Sequence, residues 1–523
     1  MLKAMIPSGR VNRTLIIFNV IMAIIYFSWW MDIRHIGHPV FYTLLVVGEL
    51  YHVLMAFCFW FTVWPADSKY TLTGHQRELA AREFALRGRH PSVDVYIPCA
   101  GEPVEVLRRT VEAAKKMKYS NFKIYILNDG FVAKKTDWKD VEALAREMDV
   151  TCITRTVPGG AKAGNINNTM KQTSGSIIVI FDTDMAPHDD FLHKVIPYFK
   201  DKKVGFVQTP QYYLNHEANQ VAGGAWEQQE LFFGPIMAGK EKSNAAFICG
   251  TNVAIRRTAL EQVGGMCEDN IAEDFLTSFF IHQNGWKSYY VPEVLAEGYA
   301  PEDLLSYCKQ QLRWARGSLE VLFSFNPLFK KNMTWGQKIQ YLSSALYYFN
   351  GVIIVVDALI PVVSLATGIQ PVAGTTTSFA FFFLPFMFLN LYTLYAASGN
   401  AVTFRGLSFS MSSWPLQLQA IKSILLKQKM GFAVTPKQAQ EGNFLFLAYP
   451  HLMYVVIIIA CAVIGINREG LSPSVITNIT WGVFNVFMFV PFIQAAYDWK
   501  GLFTKVFAFG IRKQEIATEK IYE

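Results

Sequence analysis

Asp182-Thr183-Asp184 closes the apolar run 176–181, SIIVIF. Two carboxylates one residue apart at the end of a buried strand can hold a hard divalent cation that also binds a diphosphate. A short acidic turn has the same letters, so the surroundings decide. Upstream, 158–165 reads PGGAKAGN, small residues around a Lys162 suited to phosphate oxygens. Downstream, Ala272-Glu273-Asp274 opens a stretch with Phe275, Phe279 and Ile281 at helical spacing. Acids there favour a helix N-terminus, and Asp274 is also the kind of group that deprotonates a hydroxyl as a general base. Gln310-Gln311-Leu312-Arg313-Trp314 follows in an amphipathic segment. Its Arg313 could neutralise a leaving diphosphate and Trp314 could stack on a sugar ring face, although a membrane-surface helix also carries Arg and Trp.

The elements that must hold these residues alternate. Segment 93–98 is apolar and ends at a proline, 104–117 has helical spacing, and 123–127 stops at the turn Asn128-Asp129-Gly130. A strand at 150–154 and a helix at 161–172 lead into 176–181. Strands alternating with helices predict a mostly parallel sheet with right-handed crossovers. Ligands bind such sheets at the carboxyl ends of the strands, where Asp129, Asp182 and Asp184 fall. Neither GxGxxG nor GxxxxGK[ST] occurs, so a dinucleotide enzyme and a P-loop ATPase find no support.

The whole chain is apolar for its length: 52% hydrophobic and 17% charged over 523 residues, with a mean hydropathy of +0.21. Six runs approach the ~20 residues that cross a bilayer core, at 15–31, 40–64, 342–365, 379–397, 444–466 and 475–497. The organisation predicted is a membrane region at 1–67 with two spans, an α/β domain at 68–332 with interface helices towards its end, a membrane region at 333–499 with four spans, and a tail at 500–523. A helix at about 405–430, mixing Trp414, Leu416 and Ile421 with Lys422 and Lys427, reads as lying in the membrane interface. Lys and Arg before the first span, in the 405–429 segment and in the tail place both termini and the central domain in the cytosol, while the uncharged loop 367–378 belongs outside. The net charge of +7 comes without a basic stripe, so nucleic acid is not an expected partner. Seven scattered cysteines form no metal spacing and no disulfide framework.

The order D, DxD, ED, QxxRW resembles processive family-2 glycosyltransferases, and bacterial cellulose synthase catalytic subunits above all. The resemblance extends through 161–165 (AKAGN), Gln208-Thr209-Pro210, 247–250 (FICG), 285–288 (GWKS) and 326–329 (NPLF). Residues 432–437 (FAVTPK) resemble that family's gating loop, FxVTxK, in a segment of about 431–441 between the matching pair of spans. The resemblance implies a GT-A-like (Rossmann-like, mostly parallel) catalytic domain that polymerises a β-linked polysaccharide from a UDP-sugar, UDP-glucose first among donors, with inversion and export across a bacterial inner membrane. It implies Asp274 as the base and Asp184 as ligand to Mg²⁺ or Mn²⁺. It implies donor contacts from Asp129, Lys162, Asp182, Glu102, Gln310 and Arg313, and an acceptor cradle of Cys249, Gly250 and Trp314. Phe432, Val434, Thr435 and Lys437 would close over bound nucleotide. The partners it implies are the UDP-sugar, the growing polysaccharide, membrane lipids and accessory export subunits.

The chain departs from that pattern in places. Ala272 stands where the family has Thr, and 98–103 (PCAGEP) lacks the aromatic expected near the base of the nucleotide. Two fewer N-terminal spans are expected than in that family, and a cyclic-di-GMP-binding barrel is not expected after the last span. These differences leave the sugar and linkage open. A non-processive transferase adding one sugar to a lipid or short glycan, and a catalytically dead membrane scaffold, are the competing expectations.

Overall fold

The computed structural model describes residues 13–64, 90–399, 403–428 and 442–497. Among these residues ten strands form two sheets. In chain order they are β1 (Val93–Cys99), β2 (Phe122–Asn128), β3 (Thr151–Thr154), β4 (Ile177–Ile180), β5 (Ala186–Pro187), β6 (Val204–Gln208), β7 (Tyr212–Tyr213), β8 (Val253–Arg256), β9 (Lys287–Tyr290) and β10 (Ala296–Gly298). The large sheet has the order β3-β2-β1-β4-β8-β6-β9, and the small one β5-β10-β7.

β1 pairs in parallel with both β2 and β4, and all seven of its residues are buried, as a strand covered on two faces requires. Its alternate side chains feed two cores. Val93, Val95 and Ile97 pack with Leu107, Val111 and Leu144 from the helices on one face. Tyr96 turns to the other face, with Ile166, Ile178, Phe206 and Ile255. The sheet is not parallel throughout. β8 lies between β4 and β6 and runs antiparallel to both, a reversal that no local pattern of residues reveals.

Among the described residues six helices are long and apolar enough to cross a membrane: Arg13–Trp30, Pro39–Val63, Trp335–Thr367, Thr376–Ala397, Leu445–Glu469 and Pro473–Ala495. The third begins earlier than the apolar run suggests, because Thr334 and Gln337 form a capping box that starts a helical stretch at Trp335. A one-turn 3₁₀ segment, Tyr347–Phe349, joins it to Asn350–Thr367. Five of these elements close a ring. Arg13–Trp30 packs on Pro39–Val63, which packs on Asn350–Thr367, which packs on Pro473–Ala495; the last touches Thr376–Ala397, which returns to Arg13–Trp30.

The single interface helix expected at about 405–430 is two, Phe404–Ser412 and Trp414–Leu425. Pro415 cannot supply an N–H to a continuing helix, so the chain breaks at Ser413 and restarts with proline in the first turn. Helix Gln220–Leu231 of the α/β domain packs on Phe404–Ser412 at a seam of glycines. A β-carbon on Gly223 would overlap the Arg405 guanidinium, and one on Gly224 or Gly406 would come within 3.0 Å of Phe409 or Glu227. Buried Glu227 holds the seam, with Arg405 at 2.7 Å and the Gly406 N–H donating at 2.6 Å.

Candidate active site

A cavity of about 310 Å³ opens at the carboxyl ends of the central strands. The end of β2 places Asp129 there, and Asn128 fixes the turn, donating to the Trp138 carbonyl at 2.8 Å and accepting from the Gly130 N–H at 2.9 Å. Arg155, just beyond neighbouring β3, clasps both Asp129 oxygens at 2.8 and 2.6 Å. Burial still pushes the Asp129 carboxyl above its ordinary range, against the pull of Arg155. Arg155 also donates to the carbonyls of Gly159 and Ala161, steadying the turn before helix Ala161–Met170.

That turn needs its glycines. Gly159 and Gly160 sit at φ 139° and 64°, in backbone regions costly to other residues. The following helix delivers Lys162, whose ammonium bonds the Asp182 carboxylate and the Gly250 carbonyl, the latter at 2.8 Å. Burial alone would lower the Lys162 pKa, but Asp182, Glu273 and Asp274 outweigh it and hold the ammonium charged.

Asp274 stands in the first turn of helix Glu273–Gln283, with the Phe275 N–H donating to its carboxylate at 2.8 Å. Burial raises the carboxyls of both Glu273 and Asp274, and the negative charge of Asp274 raises Glu273 further. A carboxylate lifted in this way is better matched to proton abstraction near neutral pH. Helix Leu304–Phe325 brings Gln310, Arg313 and Trp314 to the same cavity. It lies directly on the acidic segment: a β-carbon on Gly317 would overlap the Ala272 methyl and stand 2.9 Å from the Ala272 nitrogen. The Cys249 N–H donates to Gln208 at 2.9 Å and its carbonyl accepts from Gln211 at 2.7 Å, which fixes the floor formed with Gly250.

Asp129, Lys162, Asp182, Asp184, Glu102, Cys249, Gly250, Asp274, Gln310, Arg313 and Trp314 therefore border one cavity, although they lie as far apart in the chain as Glu102 and Trp314. Phe432, Val434, Thr435 and Lys437 lie outside the described residues. Sequence reasoning missed Arg155, Gln211 and Tyr299, which share the cavity but belong to no motif. Pro98 to Glu102 brings no aromatic ring to the rim; the rings present are Tyr213, Tyr299 and Trp314. Among the described residues no three His, Cys, Asp or Glu side chains converge as a closed metal site. Asp182 and Asp184 are hard oxygen donors at the mouth of a strand, which suits a divalent cation whose remaining ligands come from a diphosphate and water.

The family model described as glycosyltransferase like family 2 matches residues 90–317, and the model described as cellulose synthase matches residues 256–415. Most of the α/β domain thus matches a family-2 glycosyltransferase model. More particularly, the chain is similar to cellulose synthase catalytic subunits (UDP-forming). It is 33% identical to that of Xanthomonas axonopodis over 62% of this chain and 44% of the relative. For Pseudomonas fluorescens the identity is 26%, over 92% and 66%, and for Komagataeibacter sucrofermentans 28%, over 88% and 61%. The chain spans no more than 66% of the length of these three relatives. A mannosyltransferase from Pyrobaculum calidifontis, solved with GDP-Man and Mn²⁺, is 17% identical with a TM-score of 0.49, covering 73% of this chain and 99% of that one. That likeness adds nothing to the assignment.

Proposed function

We propose that the chain is a processive, inverting glycosyltransferase that extends a β-linked polysaccharide from a UDP-sugar, UDP-glucose first among donors, and passes the product across the membrane. The observation that carries this reading is the convergence of Asp129, Lys162, Asp182, Asp184, Asp274 and Arg313 on one cavity. The acceptor hydroxyl oxygen attacks the anomeric carbon on the face opposite the diphosphate, and the bond from that carbon to the diphosphate oxygen breaks. The hydroxyl proton passes to the Asp274 carboxylate, and UDP leaves. An α-linked donor thereby gives a β-linkage. Lys162 and Arg313 compensate the charge that develops on the diphosphate, and the fixed floor at Cys249 and Gly250 orients the acceptor. A divalent cation, Mg²⁺ or Mn²⁺, held at Asp184 would supply further charge compensation for the leaving group. The positive-inside distribution of charge supports a cytosolic α/β domain, with the spans as the path the product would take.

Purified chain in proteoliposomes, given UDP-glucose and Mg²⁺, should make a long β-linked polymer, and Asp274→Asn should abolish it. Formation of mono-glycosylated lipid alone would overturn processivity. Absence of UDP binding with metal present would overturn the enzyme reading. Thr435→Ala separates the two modes, since a single-transfer enzyme has no need of a closing loop. Linkage analysis of the polymer identifies the glycan.

A further inference from the structure

A group of large apolar side chains lies open outside the apolar runs. Phe329 is 80% exposed and Trp335 71%, more than Phe388 or Leu391 on the surface of a span. Phe323 and Leu328 are exposed beside them. Phe323 stands near the end of helix Leu304–Phe325, Leu328 and Phe329 belong to the 3₁₀ turn Pro327–Phe329, and Trp335 opens the helix that leads into the third span. One lysine ties them together: the Lys338 ammonium donates to the Leu328 carbonyl at 3.0 Å and lies 4.9 Å over the Trp335 ring. The end of helix Trp414–Leu425 adds the exposed Leu425 and Leu426. Its Ile424 packs in one cluster with Leu319 and Phe349, and the Phe349 ring is 6.3 Å from that of Phe323.

The depth of this group follows from the second span. Thr62, next to the end of Pro39–Val63, donates to Gln340 at 3.1 Å. Trp335 precedes Gln340 by five helical residues, which is about 7.5 Å further out. Beside it, a β-carbon on Gly336 would be 3.3 Å from the Ser243 side chain, and neighbouring Lys242 donates to the Trp64 carbonyl at 3.3 Å. The open side chains therefore lie at the level where the second span leaves the hydrocarbon, a boundary that favours tryptophan.

The same surface carries unopposed positive charge. Lys330, Lys331 and Lys338 stand among these side chains, and Lys422 and Lys427 flank Leu425 and Leu426. Residues 321–356 and 403–428 contain no Asp or Glu. Among the described residues none of the five lysines pairs with a carboxylate; Glu320, the acid before the first stretch, turns back to Arg316 at 3.7 Å. Aromatic rings and lysine stems at the acyl boundary, with ammoniums above them, match the edge of an anionic bilayer. Packing also joins this surface to the candidate base. Phe325 meets Phe280 at 5.4 Å, and Tyr341 meets Phe275 at 5.2 Å and shares a 2.7 Å hydrogen bond with His282. Phe275, Phe280 and His282 belong to the helix whose first turn holds Asp274.

We propose that this surface is a docking site for anionic phospholipids of the leaflet facing the α/β domain. Phe323, Leu328, Phe329 and Trp335 enter the acyl boundary, and Lys330, Lys331 and Lys338 bind headgroup phosphates. A zwitterionic lipid offers the same phosphate without net charge, so the lysines select anionic headgroups. Each lysine near an anionic surface contributes about 1 kcal/mol, about fivefold in affinity. Lipid seated there holds Phe325 and Tyr341 against the helix of Asp274, so the charge of the bilayer bears on how firmly that side chain is positioned.

The test reconstitutes the full chain in bilayers of equal phosphatidylcholine and phosphatidylglycerol and counts the lipids it retains by native mass spectrometry. Phosphatidylglycerol should be retained at least about fivefold over phosphatidylcholine. Preparation in about 1 M salt, where the Debye length is about 3 Å, should erase most of that preference. Lys330→Gln, Lys331→Gln and Lys338→Gln combined should bring it within about twofold, and Lys330→Gln with Lys331→Gln should already lower it. Lys123→Gln, Lys171→Gln and Lys202→Gln combined remove the same charge from the end of the sheet opposite the cavity and should leave the preference intact. Equal retention of both lipids by the wild type, an undiminished preference in the first variant, or an equal loss in the second overturns the site. So does a dimer that Phe329→Ser dissociates, since the surface would then be covered by a second copy of the chain. Absence of polymer from every UDP-sugar overturns the synthase reading and leaves the lipid preference standing.

Discussion

Asp274 lies so close to Gly250 that a β-carbon on the glycine would stand 3.1 Å from its carboxylate oxygen and 3.7 Å from the Lys162 ammonium. Gly250 is also at φ 82°, where a side chain costs about 1–2 kcal/mol. Gly250→Ala should therefore displace the base and lower polymerisation by about 100-fold, with only a modest loss of thermal stability. The comparison of initial rate with melting temperature checks it.

Gly317→Ala tests the contact beneath the acidic pair. In an exposed helix this change gains about 1 kcal/mol. Here the new methyl meets Ala272, so the sign reverses and about 1–3 kcal/mol is lost to overpacking. Activity should fall with it, because Ala272 adjoins Glu273 and Asp274. Urea unfolding and UDP release measured on the same preparation read both effects.

Arg155→Ala leaves Asp129 buried without its clasp and should cost about 3–5 kcal/mol. Arg155→Lys keeps a charge but loses the two-pronged geometry. A cycle with Asp129→Asn should show strong non-additivity in stability, together with weakened UDP binding by calorimetry.

Glu230 is 2% exposed, one of its oxygens has no hydrogen-bond partner, and burial lifts its carboxyl to about 7. Between the unfolded value near 4.5 and about 7, the folded state binds the extra proton, so this group lowers stability as pH rises through that window. Its cost is complete above pH 7 and amounts to at most about 3 kcal/mol. Glu230→Gln should flatten the pH dependence of unfolding there and stabilise the protein most on the alkaline side.

Which features the sequence discloses follows from how local their causes are. The DxD pair, Lys162, Asp274 and QxxRW are legible because their chemistry demands given residue types at short spacings, and the strands and spans because burial writes periodic patterns. Arg155 is illegible because its meaning comes from β3 lying beside β2, where Thr154 pairs with Asn128. The antiparallel course of β8 leaves no mark, since a fully buried strand reads the same in either direction. Asp357 is visible as an ionisable residue within a span, but its partner His52 comes from a helix three hundred residues away.

The glycine seam closed by Glu227 and Arg405 makes this machine hard to take apart. Gly239 presses against Thr62 at the end of the second span, and the buried Lys240 bonds Gln340 and Ser344 in the stretch leading into the third. A fragment cut from the α/β domain would lose the Arg405 partner of Glu227 and the Gln340 and Ser344 partners of Lys240. The unit of inheritance and of engineering is therefore the whole membrane assembly: replacing the sugar-transfer half with a foreign one means re-cutting both joints at once.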